Sequence, residues 1–188
     1  MRLEELHFVT SNPGKLREAE SVLGCRLAHC DLELEELQSL DLEQVVRHKA
    51  AEAFRRLSVP VLVEDTSLEL AGLGGFPGPL VRWLLASVGP AGICRLAGAF
   101  GNRLAAVRCV ALASDGAAEA VGAGVVTGTI VESPRGGNGF GWDSAFAPDG
   151  GGGRTYAEMD EAEKNAISHR RKAFEALREA LSAVGSGG

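Results

Sequence analysis

Two long stretches, residues 104–113 and 117–132, are rich in Val, Ala and Thr and are separated by Asp115-Gly116. β-Branched residues favour strands, and an Asp-Gly step between two such runs marks a β-hairpin. Long antiparallel strands are therefore expected in the middle of the chain. The segments before them follow another pattern. Residues 5–10 (ELHFVT) alternate apolar and polar side chains, as a strand does. The polar turn SNPGK follows, and then Leu16, Ala19, Val22 and Leu23 recur at helical spacing. Residues 26–32 fit a short second strand. A helix over 41–57 places Leu42, Val45, Val46, Ala50, Ala53 and Phe54 on one face, with Asp41 as its N-cap. Pro60 precedes VLV, read as a buried strand ending at the acidic pair Glu64 and Asp65. Early alternation and a central hairpin together predict an α/β chain. It should form a single mixed domain, residues 1–188, around a long, highly twisted β-sheet flanked by helices, not a simple doubly wound fold.

The remaining segments complete that outline. Residues 72–79 (GLGGFPGP) are too rich in Gly and Pro for regular structure. PLVRWLLAS reads as a helix with Pro79 at its first position, and a second helix follows Pro90. The loop PRGGNGFGWD and a mobile GGGG tip at 150–153 precede the last helix, about 160–184. That helix turns Ile167, Phe174, Leu177, Leu181 and Val184 inward and opens on a capping box of Asp160 and Glu163. A length of 188 residues suits one domain with a sizeable core. A net charge of −6 argues against a surface for duplex nucleic acid, which needs a broad basic face, but leaves room for a local Lys/Arg cluster on one small anion. Cys25, Cys30, Cys94 and Cys109 lack the paired short spacing of a zinc site and read as reduced thiols. Neither a signal-peptide pattern nor a membrane-length apolar run is visible, so the expected location is cytoplasmic.

Several groups can carry chemistry. The loop Thr10-Ser11-Asn12-Pro13-Gly14-Lys15 joins a strand to a helix, a junction with free backbone N–H groups and the positive end of the helix dipole. It reads either as a triphosphate cradle or as a capped turn with a solvated lysine; the Walker spacing is missing. Glu35, Glu36, Glu64 and Asp65 are carboxylates suited to magnesium, which takes one or two of them and completes its shell with phosphate and water. Physical grounds do not separate Glu33, Glu35 and Glu36. GGNGFGWD sets Phe140 and Trp142 among glycines, either to stack on a base or to anchor the loop. On the last helix Lys164 and Arg170 stand six residues apart, about 240° around a regular helix, and His169 about 140° from Lys164. Only a break or a curved wall would bring them to one site.

SNPGK, VEDTSLEL with GGFPGP, PRGGNGFGWDSAF and TYAEMDEAEKNAISHRRKA occur in this order. Order and wording resemble the inosine triphosphate pyrophosphatase family over about residues 6–182. FGWD followed by AEM and EKNAISHR is the most specific part. The resemblance implies an active-site cleft between two lobes. It implies that Thr10, Ser11, Asn12, Pro13, Gly14 and Lys15 form a triphosphate-binding loop, with Lys15 also catalytic. Glu36 and Asp65 would hold Mg²⁺, with Mn²⁺ as a substitute, and Asp65 would also be the base that activates water. Thr66 follows it at the ligand, Lys49 and Arg82 reach the phosphates, and Phe140, Gly141, Trp142 and Asp143 match the base-recognition loop. Lys164, His169 and Arg170 match terminal phosphate and base contacts. The family also implies a homodimer, for which the apolar 60–84 region with Phe76 and Trp83 is suited, and no nucleic-acid or membrane partner.

Two positions depart from the family pattern. Leu80 stands where related members usually have Tyr, and Arg82 where they have Lys, so the phosphate geometry of a planar fork would differ. The implied reaction is attack by water on the α-phosphorus of ITP, dITP or XTP, with pyrophosphate leaving. Two other readings are a Maf-like nucleotide pyrophosphatase, against which FGWD and SHR argue, and a nucleotide-binding regulator without turnover, against which Asp65 and the lysines argue.

Overall fold

A computed structural model of the chain describes residues 1–185, without the side chains of the last two of these. It opens with β1 (His7–Val9), α1 (Pro13–Leu23), β2 (Ala28–Cys30), α2 (Leu42–Leu57) and β3 (Val61–Leu70). The short β4 (Pro77–Gly78) and the helix α3 (Val81–Ala99) follow. The hairpin is β5 (Leu104–Ser114) and β6 (Glu119–Ile130); β7 (Phe146–Pro148), α4 (Glu161–Ile167) and α5 (His169–Gly185) close the chain. One seven-stranded sheet runs β2-β1-β3-β5-β6-β7, with β4 on β3. β1 pairs in parallel with β2 and β3; the pairs β3–β5, β5–β6 and β6–β7 are antiparallel. The mixed α/β domain and central hairpin are as expected. The Asp115 carboxylate closes that hairpin by accepting the N–H groups of Ala117 and Ala118.

Four details correct the sequence reading. β3 does not end at Glu64 and Asp65. It runs on to Leu70, because pairing with β5 continues in register from Val61↔Ser114 to Leu70↔Ala105. The Gly/Pro segment is not wholly irregular, since Leu68 and Glu69 pair with Gly78 and Pro77. The helix after that segment begins at Val81 with Leu80 as its N-cap, so Pro79 precedes it and is not at its first position. Most important, the last helix is broken at Ser168, whose extended backbone (φ −70°, ψ 152°) separates α4 from α5. The expected division of the 80–99 region into two helices is marked by Gly89, whose non-helical backbone (φ 64°, ψ 178°) interrupts α3 just before Pro90. Phe174, Leu177 and Leu181 point inward as predicted; the side chain of Val184 lies outside the described residues.

Helices cover both faces of one half of the sheet. α1 and α5 bury Ala19, Leu23, Phe174 and Leu177 against Phe8, Leu62 and Ala111, and α2 buries Val46, Ala50 and Ala53 against Val61, Val63 and Leu112 on the other face. The other half packs Ile93 and Ala97 of α3 with Trp142, Phe146 and Tyr156 against Leu68, Val107 and Val126. α5 lies directly on β6. A Cβ at Gly122 or Gly124 would sit 2.1 Å from the Ala173 carbonyl oxygen or 2.2 Å from that of His169, so only glycine allows the approach. Among the described residues no helix is long and apolar enough to cross a membrane.

Candidate active site

A cavity of about 420 Å³ opens between the two halves. Thr10, Ser11, Asn12, Pro13, Lys15, Glu36, Lys49, Asp65, Thr66, Arg82, Phe140, Gly141, Trp142, Asp143, His169 and Arg170 line it. Of the site residues that the family resemblance implies, Gly14 and Lys164 are the two that do not. They line a second cavity of about 280 Å³, and Phe140 lines both. The Phe140 ring is thus a partition. It rests on bare backbone, since a Cβ at Gly14 would lie 2.7 Å from its ring atoms. Lys164 Nζ stands 4.7 Å and Arg170 Cζ 5.6 Å from the ring centroid, favourable positions for cations.

The first loop combines features of both readings. Asn12 Oδ1 caps α1 by accepting the N–H groups of Gly14 (2.8 Å) and Lys15 (3.3 Å). Lys15, however, is not solvated. Its ammonium meets Glu64 Oε1 at 2.6 Å and Asp65 Oδ1 at 3.6 Å. Burial works against its charge, but the two carboxylates outweigh burial and hold its pKa above that of a free lysine. Lys49 approaches Asp65 Oδ2 from α2 at 3.7 Å. Asp65 therefore lies at the cavity wall between two ammonium groups.

Behind that wall, charges alternate in an unbroken chain. Asp143 and Glu18 hold Lys164 at 2.7 and 2.6 Å. Glu18 also pairs with Arg170, whose Nε reaches Glu64 Oε2 at 3.2 Å, and Glu64 returns to Lys15. Burial alone would push the Glu18 carboxyl up; Arg170 and Lys164 bring it below the ordinary range. Burial likewise opposes ionisation of Glu64, and Arg170 and Lys15 reverse this. For Asp143 burial prevails and its pKa is raised despite Lys164. Glu64 accepts a further bond from the Cys109 thiol at 3.1 Å. It belongs to this buried network, whereas the sequence reading set it beside Asp65 as a metal candidate. Breaking the helix at Ser168 makes the chain possible, because it turns Lys164 and Arg170 onto the same carboxylate, Glu18.

The aromatic loop divides its labour. Trp142 is buried and anchors, its ring 5.9 Å from Phe146 at 87° and 5.5 Å from His169 at 35°. Phe140 is partly exposed to the cavity, and its N–H donates to Asp143 Oδ2 at 2.8 Å. Neither ring nitrogen of buried His169 has a hydrogen-bond partner among the described residues. Burial, reinforced by Arg170 and Lys164, pushes its pKa well below the usual histidine range, so the ring is neutral at pH 7.

Opposite Asp65, the segment 31–40 brings Glu33 and Glu36 to the cavity, while Glu35 is exposed. Glu36 Oε1 accepts from Arg82 Nη1 at 2.9 Å. Sequence reasoning missed Glu18 and Cys109. Glu18 had a signal: it lies four residues from both Gly14 and Val22, next to the inward face of α1, where a charge needs a partner.

Residues 6–180 match the Ham1 family. Inosine triphosphate pyrophosphatase 2 of Trypanosoma cruzi is 44% identical over 176 residues, 91% of this chain and 89% of that protein. Inosine triphosphate pyrophosphatase of Schizosaccharomyces pombe is 40% identical over 183 residues, 95% of this chain and 96% of that protein. The structure of a HAM1 protein from Coxiella burnetii superposes with a TM-score of 0.80 at 28% identity, covering 95% of this chain and 99% of that one.

Proposed function

This chain belongs to the Ham1 family, and we propose that it hydrolyses deaminated purine nucleoside triphosphates, ITP, dITP and XTP, to the monophosphate and pyrophosphate in the cytoplasmic nucleotide pool. One observation carries this reading: Asp65 lies between Lys15 and Lys49 on a cavity wall that continues into the α1 N-terminus on one side and the Phe140 loop on the other.

The donor set suits magnesium. Asp65 and Glu36 offer hard carboxylate oxygens to the cavity, and both are now balanced by cations that an incoming ion and its phosphates can replace. Among the described residues no cluster of three or more His, Cys, Asp or Glu would hold a metal alone. The fit is therefore to an ion completed by substrate phosphate and water, which Mn²⁺ also satisfies. When bound, Mg²⁺ neutralises phosphate oxygens and acidifies water. The protein's own groups do the rest. Lys15, Lys49 and Arg82 offset the triphosphate charge, Thr10 to Gly14 offer backbone and hydroxyl contacts, and Thr66 lies beside the phosphates. Asp65 takes the proton of the water that attacks the α-phosphorus, and pyrophosphate leaves. This is catalysis by position and charge.

Phe140 stacks on the purine; Gly141, Trp142 and Asp143 hold it in place. Neutral His169 and Arg170 complete the far end of the site, and Lys164 supports the Phe140 ring from behind. Inosine and xanthosine carry a carbonyl at the purine 6-position where adenosine carries an amino group. An Arg170 donor suits the carbonyl and is left unpaired by the amino group. Phe76 and Trp83 are 43% and 55% exposed and form part of a homodimer face; sedimentation at micromolar protein as monomer alone would refute this.

Incubation with ITP and Mg²⁺ should release inosine monophosphate and pyrophosphate one for one, with ATP a poor substrate. Chelator should abolish turnover and added Mg²⁺ restore it. Orthophosphate as the product, or full turnover in chelator, would overturn the assignment.

A further inference from the structure

The segment 31–39 is the one cavity wall, among the described residues, that carries a carboxylate proposed to bind metal yet has no helix or strand. Its backbone groups have no ladder to satisfy them and need other partners. Two side chains of α2 supply these. Glu52 is buried, 5% exposed, and its Oε2 accepts the N–H of Glu35 at 2.9 Å. Its Oε1 pairs with Arg56 one turn on, and Arg56 Nη1 donates to the Glu33 carbonyl oxygen at 3.1 Å. Between these bonds Leu34 is buried among Val9, Val46 and Val63. Three consecutive residues are thus fixed by carbonyl, side chain and N–H in turn. The next residue is Glu36.

A buried carboxylate is unfavourable unless paired and hydrogen-bonded. An aliphatic side chain at position 52 would be buried under the segment without that penalty, but would leave the Glu35 N–H without its acceptor. We propose that Glu52, with Arg56 as its counter-ion, is a positioning residue. It locks the register of the acidic segment, so that Glu36 presents its carboxylate to the metal and phosphates while Glu35 is held outward. The proposal rests on the reading of Glu36 as a metal ligand. Glu52 acts only through the loop and touches no reacting group.

Mn²⁺ binding to the whole chain in the presence of α,β-methylene ITP, which supplies phosphate oxygens and is not cleaved, followed by electron paramagnetic resonance, tests this together with amide exchange at Glu35. Glu52→Ala should weaken Mn²⁺ about 10-fold, the usual loss when a group supporting a metal ligand is removed, and should speed exchange at Glu35. Glu52→Gln keeps an oxygen for the Glu35 N–H and should recover most of the affinity. Should Glu52→Ala not fold, Arg56→Gln, at a side chain that is 39% exposed, carries the same expectation for Mn²⁺. Glu36→Gln is the control. If Glu36→Gln loses affinity while Glu52→Ala, or Arg56→Gln in its place, binds as wild type, the positioning role is overturned and the metal reading stands. If Glu36→Gln itself binds as wild type, Glu36 is not a ligand and both fall.

Discussion

The two walls of the cavity are built in opposite ways. The wall behind Phe140 hangs on α1, β3, α4 and α5, and its charges, Glu18, Glu64, Lys164 and Arg170, are each 6% exposed or less. The facing wall is the segment 31–39, and its crossing pair, Glu36 with Arg82, has side chains 29% and 64% exposed. The distances differ little, 2.6 Å for Lys164–Glu18 and 2.9 Å for Arg82–Glu36. The surroundings differ greatly, and in electrostatics they decide the outcome. Removing one partner of a buried pair strands a charge in low dielectric, at about 3–5 kcal/mol. A solvated pair exchanges one set of water contacts for another and is worth about 0–1 kcal/mol. One wall is thus a buried, fully paired frame; the other holds its charges in solvent-exposed pairs that can exchange partners.

The largest expected effect lies in the frame. Glu18→Ala leaves Lys164 with Asp143 alone and Arg170 with Glu64 alone. Urea denaturation should show a loss of about 3–5 kcal/mol. Glu18→Gln, which keeps hydrogen-bond acceptance but not charge, should fall between the two. A loss below about 1 kcal/mol in Glu18→Ala would place this network in the same class as the exposed pair.

The contrast also explains what was legible beforehand. Helical spacing marked the buried faces of α1 and α2, and the Val/Ala/Thr runs marked the hairpin, because burial repeats with the period of the element. The resemblance put the site residues in order, and the fold brings them to one cavity or its neighbour behind Phe140. What escaped depended on three-dimensional pairing. Regular helix geometry kept Lys164 and Arg170 apart, and only the extended backbone at Ser168 brings both to Glu18. Glu64 and Asp65 looked equivalent as neighbours on one strand. In the structure Glu64 enters the frame while Asp65 stands between Lys15 and Lys49. The acids at 33–36 carry no periodic signal. Their register rests on Leu34 in the core and on Glu52, sixteen or more residues away in the chain.

A middle-sized effect separates the walls by pH. His169 lies in the frame, facing Arg170 on its own helix, Lys164 on α4 and, further off, Glu64 and Lys15. Burial first, then these cations, lower its folded pKa, so protons favour the unfolded chain. Its contribution is fully present above about pH 6.5, the ordinary histidine value, and is lost as pH falls from there toward the folded pKa. Stability should drop by up to about 1.4 kcal/mol per pH unit in that window. Denaturation between pH 7.5 and 5.5 should show this slope in the wild type and a shallower one in His169→Gln. Parallel slopes would mean that the imidazole reaches solvent when protonated.

The smallest effect is expected at the facing wall. Arg82→Gln removes the charge that spans from α3 to Glu36 but leaves no buried group stranded, because Glu36 turns to water. Arg82 also lies over the Trp83 ring at 5.8 Å, a contact that is itself largely exposed and adds little. The change in unfolding free energy should therefore stay within about 1 kcal/mol. It should shrink further in about 1 M salt, where exposed charges are screened within roughly 3 Å. Arg82→Lys should be closer still to wild type, since a point charge serves a solvated pair nearly as well as a fork. If Arg82→Gln instead cost as much as Glu18→Ala and ignored salt, the loop wall would be held as firmly as the helical one. Partner exchange at Glu36 could then no longer be part of substrate entry.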